Sequence, residues 1–311
     1  MMMKSKIPHL YPALNDDHPL SALLATNGLT ARVSSHSVDI YQDKRIIRIS
    51  LQHFAYAEDI INSFDYYFSA VVPLYFDNHE IVDYSSPRYH EVIGFDLMPV
   101  LFSSFCEPLM TTKQYLDFAN LSLGSTVLDL GAYSGLTSMM FKDIVGNSGK
   151  VIAVEADSQN LTTIEKNFDL YKKVSGNHID VVFGAVWNHN NGLTFSNEGN
   201  MGSAVFEILG GSRGGVETVS SFTLSELCEI SDVGNIDFIK CDVEGAESVI
   251  FEDENFLRNH QPRIILETHV MRGIETTDKC ITDLEKFGYT CERIAQTGVV
   301  LPLLECYPPD N

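Results

Sequence analysis

The sequence predicts an α/β chain in two parts: a small α+β domain in residues 1–104, and a doubly wound domain on a largely parallel sheet in residues 105–311. Three observations carry that expectation. From residue 125 onward, short apolar runs of strand length alternate with helical periodicity, the pattern of strands joined by crossover helices. The first run ends in Asp129 and leads into Gly131 and Gly135, after which helical periodicity takes over through Met139, Met140 and Phe141. The second run ends in Glu155, 24 residues after Gly131. That is close to the spacing of about 20 residues at which an acid closes the second strand of a nucleotide-binding unit.

Taken in order, residues 1–27, with Pro8, Pro12 and Pro19, read as an irregular arm. Residues 32–51 alternate, with Val38, Ile40, Ile47 and Ile49 set around the turn-forming Gln42-Asp43-Lys44, and predict a β-hairpin. Ile60, Ile61, Phe64 and Phe68 recur at helical intervals, and residues 71–84 return to strand character around Asp77-Asn78-His79. The aromatics of this part (Tyr66, Tyr67, Phe68, Tyr75, Phe76, Tyr84, Tyr89) read as core packing, with an acceptor pocket as the alternative. A helix over 107–121 leads into the second domain.

There the glycine loop and its helix are followed by a strand over 150–157 and a helix, capped by Ser158, through Leu161, Ile164, Phe168 and Leu170. A third strand is expected over 179–186. Residues 187–218 interrupt the alternation with asparagines and glycines, and predict a hairpin insertion with a mobile loop at 210–215. Regular alternation resumes with a helix over 224–229, a strand over 236–241 that runs into Asp242-Val-Glu-Gly-Ala-Glu247, and a helix through Val249, Ile250 and Phe256. A strand over 263–267 reaching Thr268 and His269, a helix over 281–287 stopped by Gly288, and a strand pair within 289–306 complete the pattern.

Composition narrows the function classes. With 21 basic against 42 acidic residues the formal charge is -21, which argues against nucleic acid or an anionic membrane as partner, because both are bound by neutralising phosphate. The six cysteines are scattered without a Cys-x-x-Cys pair, so neither a zinc site nor a disulfide framework is indicated and no metal is expected. The first residues carry charge with no apolar run behind them, and the apolar stretch near 68–76 is broken by Pro73. A soluble, cytoplasmic protein with a small-molecule or carbohydrate acceptor is the expectation.

The glycine loop points to a type of ligand. Its glycines permit positive φ and close approach to the backbone, and the helix behind it turns free N–H groups toward whatever binds. The spacing is Gly-x-x-x-Gly with Asp129 two residues ahead, whereas a nicotinamide site wants Gly-x-Gly-x-x-Gly and a pyrophosphate that an acid repels. An acid there suits a cationic ligand, and S-adenosylmethionine carries an ammonium and a sulfonium.

Four stretches together, Val127-Leu-Asp-Leu-Gly-Ala-Tyr-Ser-Gly-Leu-Thr137, Val154-Glu-Ala-Asp157 with Asn160, Ile236-Asp-Phe-Ile-Lys-Cys-Asp-Val-Glu-Gly-Ala-Glu247 and Ile265-Leu-Glu-Thr-His269, resemble the FkbM family of class I methyltransferases over roughly residues 105–295. The resemblance implies a Rossmann-like seven-stranded sheet, parallel except for one strand of the terminal pair. It also implies S-adenosylmethionine as methyl donor and a hydroxyl acceptor on a sugar or secondary metabolite. The amino-terminal part lies outside the resemblance and is expected to serve acceptor recognition or oligomerisation. N-methylation, a non-catalytic cofactor-binding module and a nicotinamide oxidoreductase are the competing readings.

In a doubly wound sheet, ligands sit beyond the carboxyl ends of the strands where the winding reverses, so the ends of the first and fourth strands, Asp129 and Asp242, are expected side by side. The expected donor site comprises Asp129, Gly131, Tyr133, Gly135, Glu155 (on the ribose), Ala156, Gly184, Ala185 (beside the adenine) and Asp242. The candidate proton acceptors are His269, Asp242, Glu244 and Glu267, with histidine best matched to neutral pH. His269 follows Glu267 by two, so an extended strand puts both on one face and lets the acid orient the imidazole or raise its basicity.

Overall fold

Alternating apolar side chains organise the first of two compact units, Met1–Leu109, in the computed structural model, which describes residues 19–205, 208, 215–296 and 301–309. Helix α1 (Pro19–Thr26) stands where an irregular arm was expected. Pro19 takes the first helical position, where its missing N–H costs nothing, and Leu20, Leu23 and Leu24 follow at helical spacing. Residues 1–18 lie outside the described residues. Strands β1 (Thr30–Val33), β2 (Ser37–Gln42), β3 (Arg45–Ser50), β4 (Leu74–Phe76) and β5 (His79–Tyr84) form a sheet in the order β1-β2-β3-β5-β4. Val38, Ile40, Ile47 and Ile49 are buried in it, as their alternation predicts. The β4–β5 turn carries positive φ at both Asp77 and Asn78, the requirement of a two-residue hairpin.

The single helix expected after β3 is broken at Ser63 into α2 (Ala57–Asn62) and α3 (Phe64–Phe68). A short hairpin, β6 (Arg88–His90) with β7 (Val100–Phe102), completes the described strands of this unit. Its aromatics divide: Phe68 and Tyr84 are core, whereas Tyr75, Phe76 and Tyr89 are exposed.

The second unit, Met110–Asn311, begins with α4 (Met110–Ala119) and then alternates: β8 (Thr126–Leu130), α5 (Leu136–Val145), β9 (Lys150–Glu155), α6 (Ser158–Ser175), β10 (Asp180–Phe183). The cap of α6 is Asp157, one residue earlier than expected, with its carboxylate accepting from the Gln159 and Asn160 N–H groups. The third strand is shorter than its apolar run because the chain turns at Gly184. Beyond it β11 (Ala185–Val186) leaves the main sheet to pair with β15 (Ser221–Phe222). Between them β12 (Leu193–Asn197), β13 (Ala204–Val205) and β14 (Gly215–Val219) make a small antiparallel sheet, the expected insertion. Residues 209–214, most of the stretch read as a mobile loop, lie outside the described residues.

After α7 (Leu224–Ile230) comes β16 (Phe238–Cys241). The helix expected next is two short ones, α8 (Glu247–Ile250) and α9 (Glu254–Asn259), because Asp253 caps the second by accepting from the Phe256 N–H. Strand β17 (Arg263–Glu267), a two-residue hairpin pair β18 (Val270–Met271) and β19 (Ile274–Glu275), α10 (Thr277–Glu285), β20 (Thr290–Ile294) and β21 (Leu303–Tyr307) follow. The main sheet is seven-stranded in the order β10-β9-β8-β16-β17-β21-β20, and β21 runs against both its neighbours while the first five strands are parallel.

Parallel strands covered on both faces should be apolar throughout, and β8, β9 and β16 are buried along almost their whole length. Phe118 and Phe141 close on Phe238 with ring centroids 6.2 and 5.5 Å apart. Each such side chain contributes roughly 1.5–3 kcal/mol of burial. The winding reverses between β8 and β16, so the loops after these strands adjoin.

The contact between those loops depends on Gly131, whose φ is +76° and whose added Cβ would lie 1.8 Å from the Asp242 carbonyl oxygen. Gly176 has nearly the same φ, +78°, but open space around it. Gly176→Ala is therefore expected to cost about 1–2 kcal/mol of left-handed strain, and Gly131→Ala clearly more, by urea unfolding. Equal losses in the two variants would mean that the loops do not approach as closely as described.

Candidate active site

The loop after β8 holds three consecutive odd-numbered residues at positive φ: Gly131, Tyr133 (51°) and Gly135 (77°). It is fixed from two sides. Glu155, at the end of β9, accepts the Tyr133 N–H on one oxygen and the Asp157 N–H on the other, both at 2.8 Å. The Ala156 N–H is a third backbone donor to this carboxylate, which leaves part of its acceptor capacity open. Burial pushes the Glu155 carboxyl up to about 7 despite those backbone donors. Gly184 and Ala185 lie just past the end of the neighbouring strand, with the Gly184 N–H bonded to the Glu155 carbonyl.

On the other side of β8 stands Lys240, in register with Asp129 across the β8–β16 pair. Its ammonium donates to the Gly131 carbonyl at 2.8 Å and lies 3.5 Å from an oxygen of Asp129 and 3.5 Å from one of Asp242. Burial alone would pull Lys240 down, but Asp242, Asp129 and Glu267 outweigh it and hold the ammonium above its ordinary value. Asp129, expected from sequence in the donor site, is turned toward side chains of the protein. It is 0% exposed, accepts from the Ser138 hydroxyl at 2.5 Å, and its carboxyl is raised by burial in spite of Lys240 and Ser138. Its β-strand position points it into the sheet's own packing, where it supports the loop from behind.

The loop after β16 carries Asp242 and Glu244, the latter held at φ 51°. Beside them is His269, whose Nε2 lies 3.6 Å from Asp242 Oδ1 and 3.7 Å from Glu244 Oε1. Its Nδ1 is 3.1 Å from Glu247 Oε1. Glu247 is fully buried and also accepts from the Gly245 N–H and the Thr276 hydroxyl. The partner expected to orient the imidazole was Glu267, but β17 ends there, the chain turns at Thr268, and Glu267 accepts from the Tyr115 hydroxyl at 2.6 Å instead. Burial lowers the imidazole's pKa, but Glu244, Glu247 and Asp242 together raise it well above the ordinary value. Burial, then Asp242 and Glu247 among the charges, lift Glu244 to about 7, with His269 opposing. Burial and Asp242 likewise raise Glu267.

The structure thus brings Gly131, Tyr133, Gly135 and Glu155 around one loop, and Asp242, Glu244 and His269 around the next. Lys240, Glu247, Thr276 and Tyr115, which join and brace these groups, had no assigned role from sequence. Lys240 and Glu247 were visible in the 236–247 stretch as the charged residues flanking its acids.

The sequence profile of the methyltransferase FkbM domain matches residues 129–291, just over half of the chain. The chain belongs to the FkbM methyltransferase family. Its cofactor is S-adenosylmethionine. Among solved structures the FkbM methyltransferase is similar to methyltransferase FkbM from Methylobacillus flagellatus KT (15% identity, 63% of this chain and 50% of that one, TM-score 0.44). It is also similar to precorrin-6y C5,15-methyltransferase from Geobacter metallireducens GS-15 (16% identity, 64% and 87%, TM-score 0.39). A third is Aeropyrum pernix fibrillarin in complex with S-adenosyl-L-methionine (11% identity, 89% and 97%, TM-score 0.40). No curated protein matches the chain. No helix among the described residues is long and apolar enough to cross a membrane.

Because Lys240 is the cation shared by Asp129 and Asp242, Lys240→Met leaves two carboxylates without it and is expected to cost about 3–5 kcal/mol in urea unfolding. Arg258, exposed, paired with exposed Glu254 and lying over the Phe287 ring, is the control, and Arg258→Ala should stay within about 1 kcal/mol. If both variants unfold alike, the ammonium is not what compensates these acids.

Proposed function

We propose that this FkbM methyltransferase transfers a methyl group from S-adenosylmethionine to a hydroxyl of a sugar or secondary metabolite. The observation that carries the reading is the meeting, at the reversal of the sheet, of a glycine loop suited to the donor with a cluster of proton-handling side chains suited to the acceptor. S-adenosylmethionine supplies an electrophilic methyl group on a sulfonium. The residues fit it. The 131–135 loop offers close backbone approach at Gly131, Tyr133 and Gly135, and the acceptor capacity that its three backbone donors leave on Glu155 suits a ribose hydroxyl. Ala156, Gly184 and Ala185 are small and buried beside it, as a flat base requires.

A hydroxyl must give up its proton as it attacks, and holding it in line contributes much of the acceleration. Asp242, Glu244 and His269 are assigned to receive that hydroxyl, with Glu267 and Tyr115 walling the same side. Recognition of the rest of the acceptor is assigned to the Met1–Leu109 unit, which the FkbM profile leaves wholly outside its match.

Glu155 makes donor binding depend on pH. With its carboxyl raised to about 7, it is protonated in the free protein below that pH, and accepting a hydroxyl donor beside its three backbone donors requires the proton to leave. Affinity for S-adenosylhomocysteine should therefore fall as pH drops below about 7, by up to about tenfold per pH unit, and level off above it. Glu155→Ala should lose at least about tenfold at pH 8 and flatten the profile. A folded Glu155→Ala protein with parental affinity by calorimetry would remove the residue from the donor site.

The acceptor side separates from the donor side in a second experiment. His269→Ala and Glu244→Gln should keep S-adenosylhomocysteine affinity within a few-fold, while methyl transfer to a polyol or sugar acceptor slows by about a hundredfold or more. Variants that bind the donor and turn over at the parental rate would exclude these residues from the transfer.

A further inference from the structure

We propose that Asp242, Glu244 and His269 bind a divalent first-row cation of the Mn2+ type. One ligand atom from each lies within 4.8 Å of the other two. The separations from His269 Nε2, 3.6 Å to Asp242 and 3.7 Å to Glu244, are too long for hydrogen bonds. An imidazole bound directly to these carboxylates as an ion pair closes to about 2.7–2.9 Å. The distances are instead a few tenths of an ångström wider than ligand atoms around a shared ion, which for metal–ligand bonds of about 2.0–2.2 Å stand roughly 3.0 Å apart in an octahedral and 3.4 Å in a tetrahedral site, so a small inward shift closes them on a cation.

A second observation, independent of the acids facing the gap, concerns the other ring nitrogen. Nδ1 is held by Glu247, and Glu247 is itself fixed by the Gly245 N–H and the Thr276 hydroxyl, at 2.8 and 2.7 Å. A histidine that donates Nδ1–H to a buried carboxylate turns Nε2 outward, which is how metal-bound histidines are oriented, and binding the cation displaces the Nε2 proton to water. Asp242 is divided in the same sense: Oδ2 faces Lys240, and Oδ1 faces the gap.

Donor chemistry selects the ion. Two carboxylate oxygens and one imidazole nitrogen suit Mn2+, Fe2+ or Zn2+, whereas Ca2+ and Mg2+ are held by oxygen ligands. The three side chains are 31%, 21% and 16% exposed, so the ion's remaining positions face outward. A hydroxyl bound there is polarised by the cation: its O–H bond breaks with the electron pair kept on oxygen, and the proton leaves to water. That role, though not the existence of the site, rests on the methyl-transfer reading.

The test is titration of the full-length chain with Mn2+ alone, followed by electron paramagnetic resonance, with S-adenosylhomocysteine calorimetry on the same samples. One saturable Mn2+ per chain is expected, displaced readily by Zn2+ and poorly by Mg2+. Asp242→Asn and His269→Ala should each weaken it by at least about tenfold, and Glu247→Gln by about 10–100-fold with an unchanged circular dichroism spectrum. A folded chain that binds S-adenosylhomocysteine but shows no saturable Mn2+ site at millimolar concentration overturns the proposal, as does parental Mn2+ affinity in Asp242→Asn and His269→Ala. Saturable Mn2+ binding without S-adenosylhomocysteine binding supports the cation site and counts against the donor reading instead.

Discussion

The arrangement of this site depends on one buried ammonium. Lys240 is in register with Asp129 on the adjoining parallel strand, and its Nζ reaches beyond both strand ends to bond the Gly131 carbonyl. Asp129 lies behind it and Asp242 ahead of it, each 3.5 Å away. Charges removed from water are tolerated only in such company, so neither loop can drift without exposing an unpaired ion. The requirement forces the two loops together until the Gly131 α-carbon lies against the Asp242 carbonyl, a distance that excludes any side chain at position 131.

A division of labour among the acids follows. Asp129 is consumed inside the protein by Ser138 and Lys240. Glu155 is mostly committed, to the Tyr133, Ala156 and Asp157 N–H groups, with the rest of its acceptor capacity left for a ligand. Among the described residues, Asp242 and Glu244 have no cation matched to them beyond Lys240 and His269, and Glu247 is occupied in aligning His269. In a chain of formal charge -21, most acids are simply solvated. Those at the ends of β8, β9 and β16 are distinguished by how many of their lone pairs the protein leaves open.

The strand pattern was legible because interior parallel strands must be apolar on both faces, which makes residues 127–130, 151–154 and 238–241 stand out in any reading. Their acidic ends were equally visible. What sequence could not convey was direction: Asp129 and Glu155 look alike as strand-end acids, yet one points into the packing and the other toward the loop. Partners distant along the chain were also hidden, since Tyr115 meets Glu267 across 152 residues and Glu247 meets His269 across 22. Local misreadings had local causes. Asp253 as a cap broke one expected helix in two, and Asp157 displaced Ser158 because its carboxylate reaches two N–H groups at once.

Asp157 also explains how an insertion in the middle of the sheet can be accommodated beside the proposed donor site. One of its oxygens caps α6, and the other accepts from the Glu198 and Gly199 N–H groups and the Ser203 hydroxyl, all in the β12–β13 connection. Asn160, one turn into the helix, adds a bond to the Asn200 carbonyl. Asp157 is two residues from Glu155, and its own N–H is one of the backbone donors that hold the Glu155 carboxylate. The strand end, the start of the helix and the insertion are therefore joined through one fully buried side chain. Any shift of that connection must break several hydrogen bonds to a buried carboxylate, at about 1.5–3 kcal/mol each. Glu217 and Asn197 of the insertion add bonds to Ser158, and Leu193, Phe195, Val205 and Val219 pack with Ala156 and Ala185, so the insertion is built against the end of β9 by both polar and apolar contacts.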